Sequence, residues 1–193
     1  RTDRVRGRLI GYDFVNGKVD ASSLHDMDMQ LGLAYFPIFL SPGARNVCII
    51  GFGSGTTSGA ALLFPEVHVT CCEIEPAVFE ASKHFAAVNH SPELFPRFSV
   101  VFDDGRSHLQ GTNAKYDLIL SEPSNPWIAG VSNLFTREFY EAARDRLAPG
   151  GILAQWIQVY SFSAADYALV ARTLLDVFPE CGLIRISGGD TIL

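Results

Sequence analysis

Apolar positions along this chain fall into short runs separated by glycine, proline and acidic residues, and their spacing changes from run to run. Val47-Cys48-Ile49-Ile50 is a continuous apolar block that breaks into Gly51-Phe52-Gly53-Ser54-Gly55. Small residues and leucines follow over 56–63, so this stretch predicts a strand, a glycine turn and a helix. A second block over 67–72 predicts another strand and ends in Glu73-Ile74-Glu75-Pro76. Further on, 76–88 reads as a helix, 98–102 as a third strand ending at Asp103-Asp104-Gly105, 106–110 as the start of a helical segment and 116–120 as a fourth strand. A loop from Ser121 to Asn133 precedes a helix over 136–147, and Ala148-Pro149-Gly150-Gly151 turns into a fifth strand over 152–157. The last helix covers 163–177, with Ser163 as its cap and Asp166 at the capping-box position, and 183–186 is the last full strand.

Before the central block, residues 5–22 read as a hairpin: 5–14, a turn at Asn16-Gly17, then 18–22. Over 25–40 the period becomes helical, with Met27, Leu31, Ala34 and Tyr35 on one face and Pro37 bending or ending the helix late. Strands alternating with helices at this spacing predict an α/β fold with a doubly wound, mainly parallel sheet and ligands at the carboxyl ends of its strands. The expected organisation is a hairpin and helix over 1–40 attached to a nucleoside-binding domain over 41–193.

The chemistry begins at the glycine turn. Glycine lets the backbone turn sharply and approach a ligand, and Glu73 lies about twenty residues further on, where such a domain places a carboxylate for ribose hydroxyls. A plain βαβ packing turn is the bland alternative. Three positions after Gly53, where the pyrophosphate fingerprint wants glycine, stands Thr56; a third glycine falls later, at Gly59. That pattern favours an adenosyl ligand without pyrophosphate, S-adenosylmethionine or its decarboxylated form, over NAD. Asp104-Gly105 is placed to meet an adenine edge, and Asp104 suits a helix N-cap equally well. In Ser121-Glu122-Pro123-Ser124-Asn125-Pro126-Trp127 two prolines flank Ser124-Asn125 and stiffen a loop at a strand end. Glu122 can act there as a general base for an amine, Asn125 can hold a substrate by hydrogen bonds, and Trp127 offers an apolar wall or a cation–π face. A structural turn with a packed tryptophan is the competing reading.

Composition narrows the classes. The chain has 193 residues, 48% of them hydrophobic and 19% charged, which describes one ordinary globular domain. A net charge of -6 with scattered basic residues argues against nucleic acid as a partner. Cys48, Cys71, Cys72 and Cys181 lack metal-type spacing, so no metal is expected and buried thiols in a reducing compartment are. The longest greasy stretch, 31–40, is interrupted by Pro37 and is shorter than a membrane span. The chain opens on an arginine and stops in the strand-like Thr191-Ile192-Leu193, which predicts an excised domain.

At these residues the sequence resembles the polyamine aminopropyltransferases, the spermidine and spermine synthases. The likeness runs from the Asn16-Gly17 hairpin to Val177 and is strongest in Tyr116-Asp117-Leu118-Ile119-Leu120-Ser121-Glu122-Pro123-Ser124-Asn125-Pro126, in Leu134-Phe135-Thr136-Arg137-Glu138-Phe139-Tyr140, and in Leu147-Ala148-Pro149-Gly150-Gly151-Ile152. Within the family it is most similar to bacterial synthase-like domains fused to membrane segments, which share the Ser-Glu-Pro-Ser-Asn-Pro-Trp loop. The resemblance implies a Rossmann-like fold of the S-adenosylmethionine-dependent methyltransferase type, and transfer of an aminopropyl group from decarboxylated S-adenosylmethionine to a small-molecule amine acceptor. It places Glu122 at the family's catalytic aspartate and Asn125 at a second loop aspartate that holds the amine, with Trp127 beside it. Ser54 falls on an aspartate near the aminopropyl nitrogen. Met29 and Leu31 fall on a tyrosine and a glutamate of the amine pocket, and Gln30 on a nucleoside contact. The implied nucleoside set is Gln30, Gly51, Gly53, Ser54 and Gly55 from the first half of the site, and Glu73, Ile74, Asp104, Gly105 and Ser121 from the second.

These departures keep the nucleoside contacts and remove most anions for a dicationic amine. A buried ammonium without a paired anion is costly, which weighs against putrescine as the acceptor. The alternatives are a methyltransferase using S-adenosylmethionine, and a non-catalytic nucleoside-binding domain of a membrane protein. A cytoplasmic domain is expected, with tethering to the inner membrane and a homodimer left open.

Overall fold

The computed structural model describes residues 26–123, 130–158, 162–186 and 190–193, together with the backbone of three N-terminal strands. Alternation decides the central strand. In β4 (Asn46–Ile50), Val47 and Ile49 belong to one buried cluster and Cys48 and Ile50 to another, and all four are at most 3% exposed. A strand apolar on both faces needs cover on both, and the rest of the sheet is arranged to give it.

β4 lies parallel between β5 (His68–Glu73) and β7 (Tyr116–Ser121). β6 (Phe98–Phe102) extends the sheet beyond β5, and β8 (Leu147–Ile157) beyond β7, both parallel. The short β10 (Thr191–Ile192) pairs antiparallel with β8 and with β9 (Ile184–Arg185), completing a seven-stranded sheet of order β6-β5-β4-β7-β8-β10-β9. The chain winds outward in both directions from β4, so the switch point for a ligand lies at the carboxyl ends of β4 and β7.

One face is covered by α1 (Met27–Leu40) and α2 (Thr56–Leu62), through Met29, Leu33, Ala34 and Ile38 of the first and Ala60, Ala61 and Leu62 of the second. The other is covered by α5 (Gly105–Gly111), α6 (Arg137–Arg146) and α7 (Ala164–Leu175), through Leu109, Phe139, Tyr140, Ala143 and Leu174. Each buried Leu or Ile contributes about 1.5–3 kcal/mol. The side-chain ion pairs among the described residues leave both partners at least 42% exposed, where such a pair contributes about 0–1 kcal/mol. Apolar burial on the two sheet faces therefore carries the fold.

Several boundaries differ from the sequence reading. The expected arm 5–14 is two antiparallel strands, β1 (Thr2–Val5) and β2 (Arg8–Val15), and β2 pairs with β3 (Lys18–Ser22) from Tyr12↔Ser22 to Val15↔Lys18. The Asn16-Gly17 turn lies outside the described residues. Pro37 does not end α1, which runs on to Leu40. The helix expected over 76–88 is broken into α3 (Pro76–Ala81), a 3-10 turn (Ser82–Phe85) and α4 (Ala86–Asn89). The carbonyl of Ser82 accepts from the Asn89 side chain at 3.0 Å, and the Ser82 hydroxyl returns to the Phe79 carbonyl at 2.7 Å. Part of the loop to Asn133 is a 3-10 turn (Val131–Phe135). The Ala148–Gly151 turn is drawn into β8 as an irregularity opposite Tyr116 and Leu118, with Gly150 at φ +77°. The strand expected over 183–186 is the two-residue β9, and β10 lies between it and β8. The Ser163 cap and its Asp166 partner form the capping box expected. No helix among the described residues is long and apolar enough to cross a membrane.

α2 packs so closely on α4 that a side-chain carbon at Gly59 would lie 1.8 Å from the Asn89 carbonyl oxygen. Alanine in a helix interior gains about 0.5–1 kcal/mol over glycine. Overpacking against backbone costs about 1–3 kcal/mol or more, so the clash prevails. Gly59→Ala is expected to lower stability by about 1–2 kcal/mol in urea unfolding, and a variant as stable as the parent would contradict this packing.

Candidate active site

The turn after β4 is held by three glycines in the left-handed region, Gly51 at φ +91°, Gly53 at φ +51° and Gly55 at φ +80°. Their surroundings separate their roles. A side-chain carbon at Gly51 would stand 2.6 Å from the Glu122 carbonyl oxygen, and one at Gly55 would stand 2.9 Å from the Phe52 ring. At Gly53 it would meet none of the described residues within 4 Å. The turn is therefore open at Gly53, while the space beside Gly51 and Gly55 is filled by protein.

Glu73, at the end of β5, is 7% exposed. Its Oε2 accepts the Phe52 N–H and its Oε1 the Glu75 N–H, each at 2.9 Å. A carboxylate offers about four acceptor positions. Two are used to fix the glycine turn and the start of the next helix, and two remain for hydroxyl donors. Asp104 at the end of β6 caps α5 by accepting the Ser107 N–H at 2.9 Å, so the N-cap reading is the one its geometry carries. The missing side chain at Gly105 makes room for Ile50, whose Cγ2 would lie 2.4 Å from a side-chain carbon there. Ile74 is 71% exposed on the rim beside Glu73.

Glu122 follows β7 and is partly buried. Its N–H donates to the Ile50 carbonyl at 2.9 Å, which locks the strand end against the glycine turn. Its Oε2 lies 2.7 Å from the Thr57 hydroxyl, and the Gln30 carbonyl lies 3.2 Å from the same hydroxyl, so two acceptors face its one proton. Gln30 and Ser54, both expected to face the nucleoside, turn inward and bond each other. Both are 2% exposed, and the Ser54 hydroxyl donates to Gln30 Oε1 at 3.0 Å and sits 2.8 Å from the Thr56 hydroxyl. Ser121 also points its side chain inward. It is 0% exposed, and its hydroxyl accepts from Gln155 Nε2 at 3.2 Å beneath the crevice. Asn125 and Trp127 lie outside the described residues.

Thr57, Asn89, Tyr140 and Gln155 were not singled out in the sequence. Asn89 donates to the Ser54 carbonyl at 2.8 Å and so fastens the turn to α4. The Tyr140 hydroxyl donates to Gln155 Oε1 at 2.7 Å, and Gln155 Nε2 also reaches the Leu134 carbonyl at 2.8 Å. Burial pushes the Tyr140 phenol well above its ordinary range, so it remains a neutral donor. Each of these contacts joins residues far apart in the chain, and only the Thr56-Thr57 pair beside the glycines was a local signal. Cys48, Cys72 and His108 also come together, with their ligand atoms all within 4.8 Å of one another.

The half-buried glycine turn, Glu73 and Glu122 thus stand at the carboxyl ends of β4, β5 and β7, at the switch point of the sheet. The class is the Rossmann-like fold of S-adenosylmethionine-dependent methyltransferases. Human methyltransferase-like protein 13, solved in complex with SAH, aligns with 86% of this chain and 78% of its own at a TM-score of 0.66 and 21% identity. A spermidine synthase solved in complex with the transition-state analogue AdoDATO aligns with 100% of this chain and 71% of its own at a TM-score of 0.84 and 23% identity. Both likenesses concern the fold. In sequence, the family model described as spermine/spermidine synthase domain matches residues 29–186, and this chain belongs to that family. Polyamine aminopropyltransferase 1 of Pseudomonas aeruginosa is 34% identical over 152 residues, 76% of this chain and 51% of its own. Polyamine aminopropyltransferase 2 of Hyperthermus butylicus is 32% identical over 168 residues, 85% of this chain and 55% of its own. The chain spans about half the length of the curated relatives it matches.

Removing the Tyr140 hydroxyl leaves the buried Gln155 oxygen without its donor, whereas removing the Ser121 hydroxyl leaves Gln155 Nε2 its bond to Leu134. Tyr140→Phe is expected to cost about 1–3 kcal/mol in denaturant unfolding and Ser121→Ala under about 1 kcal/mol. Equal losses would contradict this reading of the network.

Proposed function

We propose that this chain carries the nucleoside site and the catalytic carboxylate of an aminopropyltransferase that moves an aminopropyl group from decarboxylated S-adenosylmethionine to a small-molecule amine. The observation that carries the reading is Glu122 at the end of β7, its carbonyl against Gly51 of the glycine turn and its carboxylate held by the Thr57 hydroxyl at 2.7 Å. In this reading Glu73 accepts the ribose hydroxyls through its two remaining positions. Ile74 lies against the adenine ring, whose exocyclic amine meets the free side of Asp104, and the sulfonium end passes over Gly53.

Chemistry then needs little beyond position and one proton. The acceptor nitrogen attacks the carbon attached to the sulfonium. The carbon–sulfur bond breaks with its electron pair going to sulfur, methylthioadenosine leaves, and the proton of the new ammonium passes to Glu122. The hydroxyl of Thr57 holds the carboxylate in place. Met29 is buried in the α1 core and Leu31 packs against it, so neither of these α1 positions contributes an anion for a second ammonium. That supports an acceptor other than putrescine, with Asn125 and Trp127 proposed to line its path. Homodimerisation and tethering to a membrane are further expectations for the whole protein.

Glu122→Gln keeps the shape and removes the base. In the protein containing this chain, turnover measured as methylthioadenosine release should fall by at least about 100-fold, with affinity for the decarboxylated donor changed by less than about twofold. Thr57→Val should lower turnover by about tenfold through misplacement of the carboxylate. Undiminished turnover in Glu122→Gln would remove Glu122 from the mechanism.

A further inference from the structure

The sheet brings together a set of side chains that the crevice does not use. Cys48 on β4 and Cys72 on β5 belong to the same face of the sheet: Ile50 pairs with Cys72, and Cys48 lies two residues before Ile50, on the same side of an alternating strand. α5 covers this face, and its His108 brings a ring nitrogen to the pair, so that two sulfurs and one nitrogen lie within 4.8 Å of one another. The two cysteines are 0% and 2% exposed and His108 is partly buried. His108 Nε2 is 2.9 Å from the Tyr116 hydroxyl, which fixes the orientation of the ring.

We infer that Cys48, Cys72 and His108 form a binding site for a soft divalent cation, zinc being the ion this donor set fits best. Zinc takes thiolate and imidazole ligands at about 2.3 and 2.0–2.1 Å, which sets the donor atoms of a tetrahedral site about 3.5–3.8 Å apart. The triad is wider than that by an ångström or so at most, within reach of a change in side-chain rotamer. Charge favours the same ion. Two thiolates and one neutral imidazole balance a divalent cation, so the occupied site is neutral in an apolar layer where an unbalanced charge is costly. On binding, each cysteine loses its thiol proton to solvent and forms one sulfur–metal bond, and no oxidant or reductant takes part. The fourth position is left for water or another small ligand. Entry is from the α5 side, past His108, because both sulfurs lie behind it. With Nε2 held by Tyr116, Nδ1 is the ring atom left for the ion.

Position gives the site a structural consequence. Cys72 directly precedes Glu73, Cys48 lies three residues before Gly51, and His108 lies four after Asp104. A bound ion ties β4, β5 and α5 together immediately below the strand ends that form the crevice.

The test uses metal-free protein in a non-thiol reductant, titrated with cobalt(II) and then with zinc(II). In the parent, and in Cys181→Ser, which removes the exposed thiol, one equivalent of cobalt should give the near-ultraviolet thiolate charge-transfer band and the visible bands of a tetrahedral site, and zinc should displace it. Cys72→Ser should abolish the charge-transfer band or weaken cobalt binding by at least tenfold. His108→Asn, a partly buried position less exposed to misfolding, should weaken it at least tenfold while the metal-free thermal midpoint stays near that of the parent. Absence of the band in the parent, or its persistence at unchanged affinity in both variants, would overturn the site.

Discussion

The crevice depends on how closely the end of β7 approaches the turn after β4. The Glu122 carbonyl occupies the place where any side chain at residue 51 would begin, and the Glu122 N–H bonds the Ile50 carbonyl. Only glycine meets both demands there, a positive φ and the missing Cβ. This contact puts a carboxylate beside a nucleoside-type turn without any flexible connection. Every other feature of the site is measured from it.

Around that contact the polar groups hold one another rather than wait for a ligand. Glu73 spends half its acceptor capacity on Phe52 and Glu75, Ser54 and Gln30 satisfy each other, and Asn89 clamps the turn from below. A buried polar group left unpaired costs about 1–3 kcal/mol, so this pairing is a condition for building a rigid turn in an apolar layer. The consequence for function is selective. In the proposed reading, ligand contacts fall to backbone, to the open side of Gly53, to Ile74 and Asp104, and to the acceptor positions that Glu73 retains.

Much of this was legible in the sequence because it is local. The first four parallel strands, the glycine turn, the acid that ends β5 and the Ser163 capping box all rest on neighbouring residues and on period, and they stand within a residue or two of where the pattern puts them, whereas β8 begins five residues earlier than expected. What escaped notice is nonlocal. The break in the 76–88 helix is imposed by Asn89 capturing the Ser82 carbonyl, and the insertion of β10 beside β8 is decided by pairing across the sheet. The inward turn of Ser54 and Ser121 depends on Gln30 and Gln155, which are distant in sequence. The meeting of Cys48, Cys72 and His108 is likewise nonlocal, since they are far apart along the chain and come together only through the pairing of β4 with β5 and the path of α5.

The family and the fold together turn a generic nucleoside crevice into a specific expectation about the donor. A methyltransferase must accommodate the methionine carboxylate, whereas an aminopropyltransferase meets an amine-bearing chain without it. The position beside the open glycine is a buried, neutral Ser54, so the discrimination rests on the remainder of the site. Calorimetric titration of the protein with decarboxylated S-adenosylmethionine, and separately with S-adenosylmethionine, tests this most directly. Aminopropyl transfer predicts tighter binding of the decarboxylated ligand. Equal or tighter binding of the carboxylated one would contradict it and leave Glu122 without the role assigned to it.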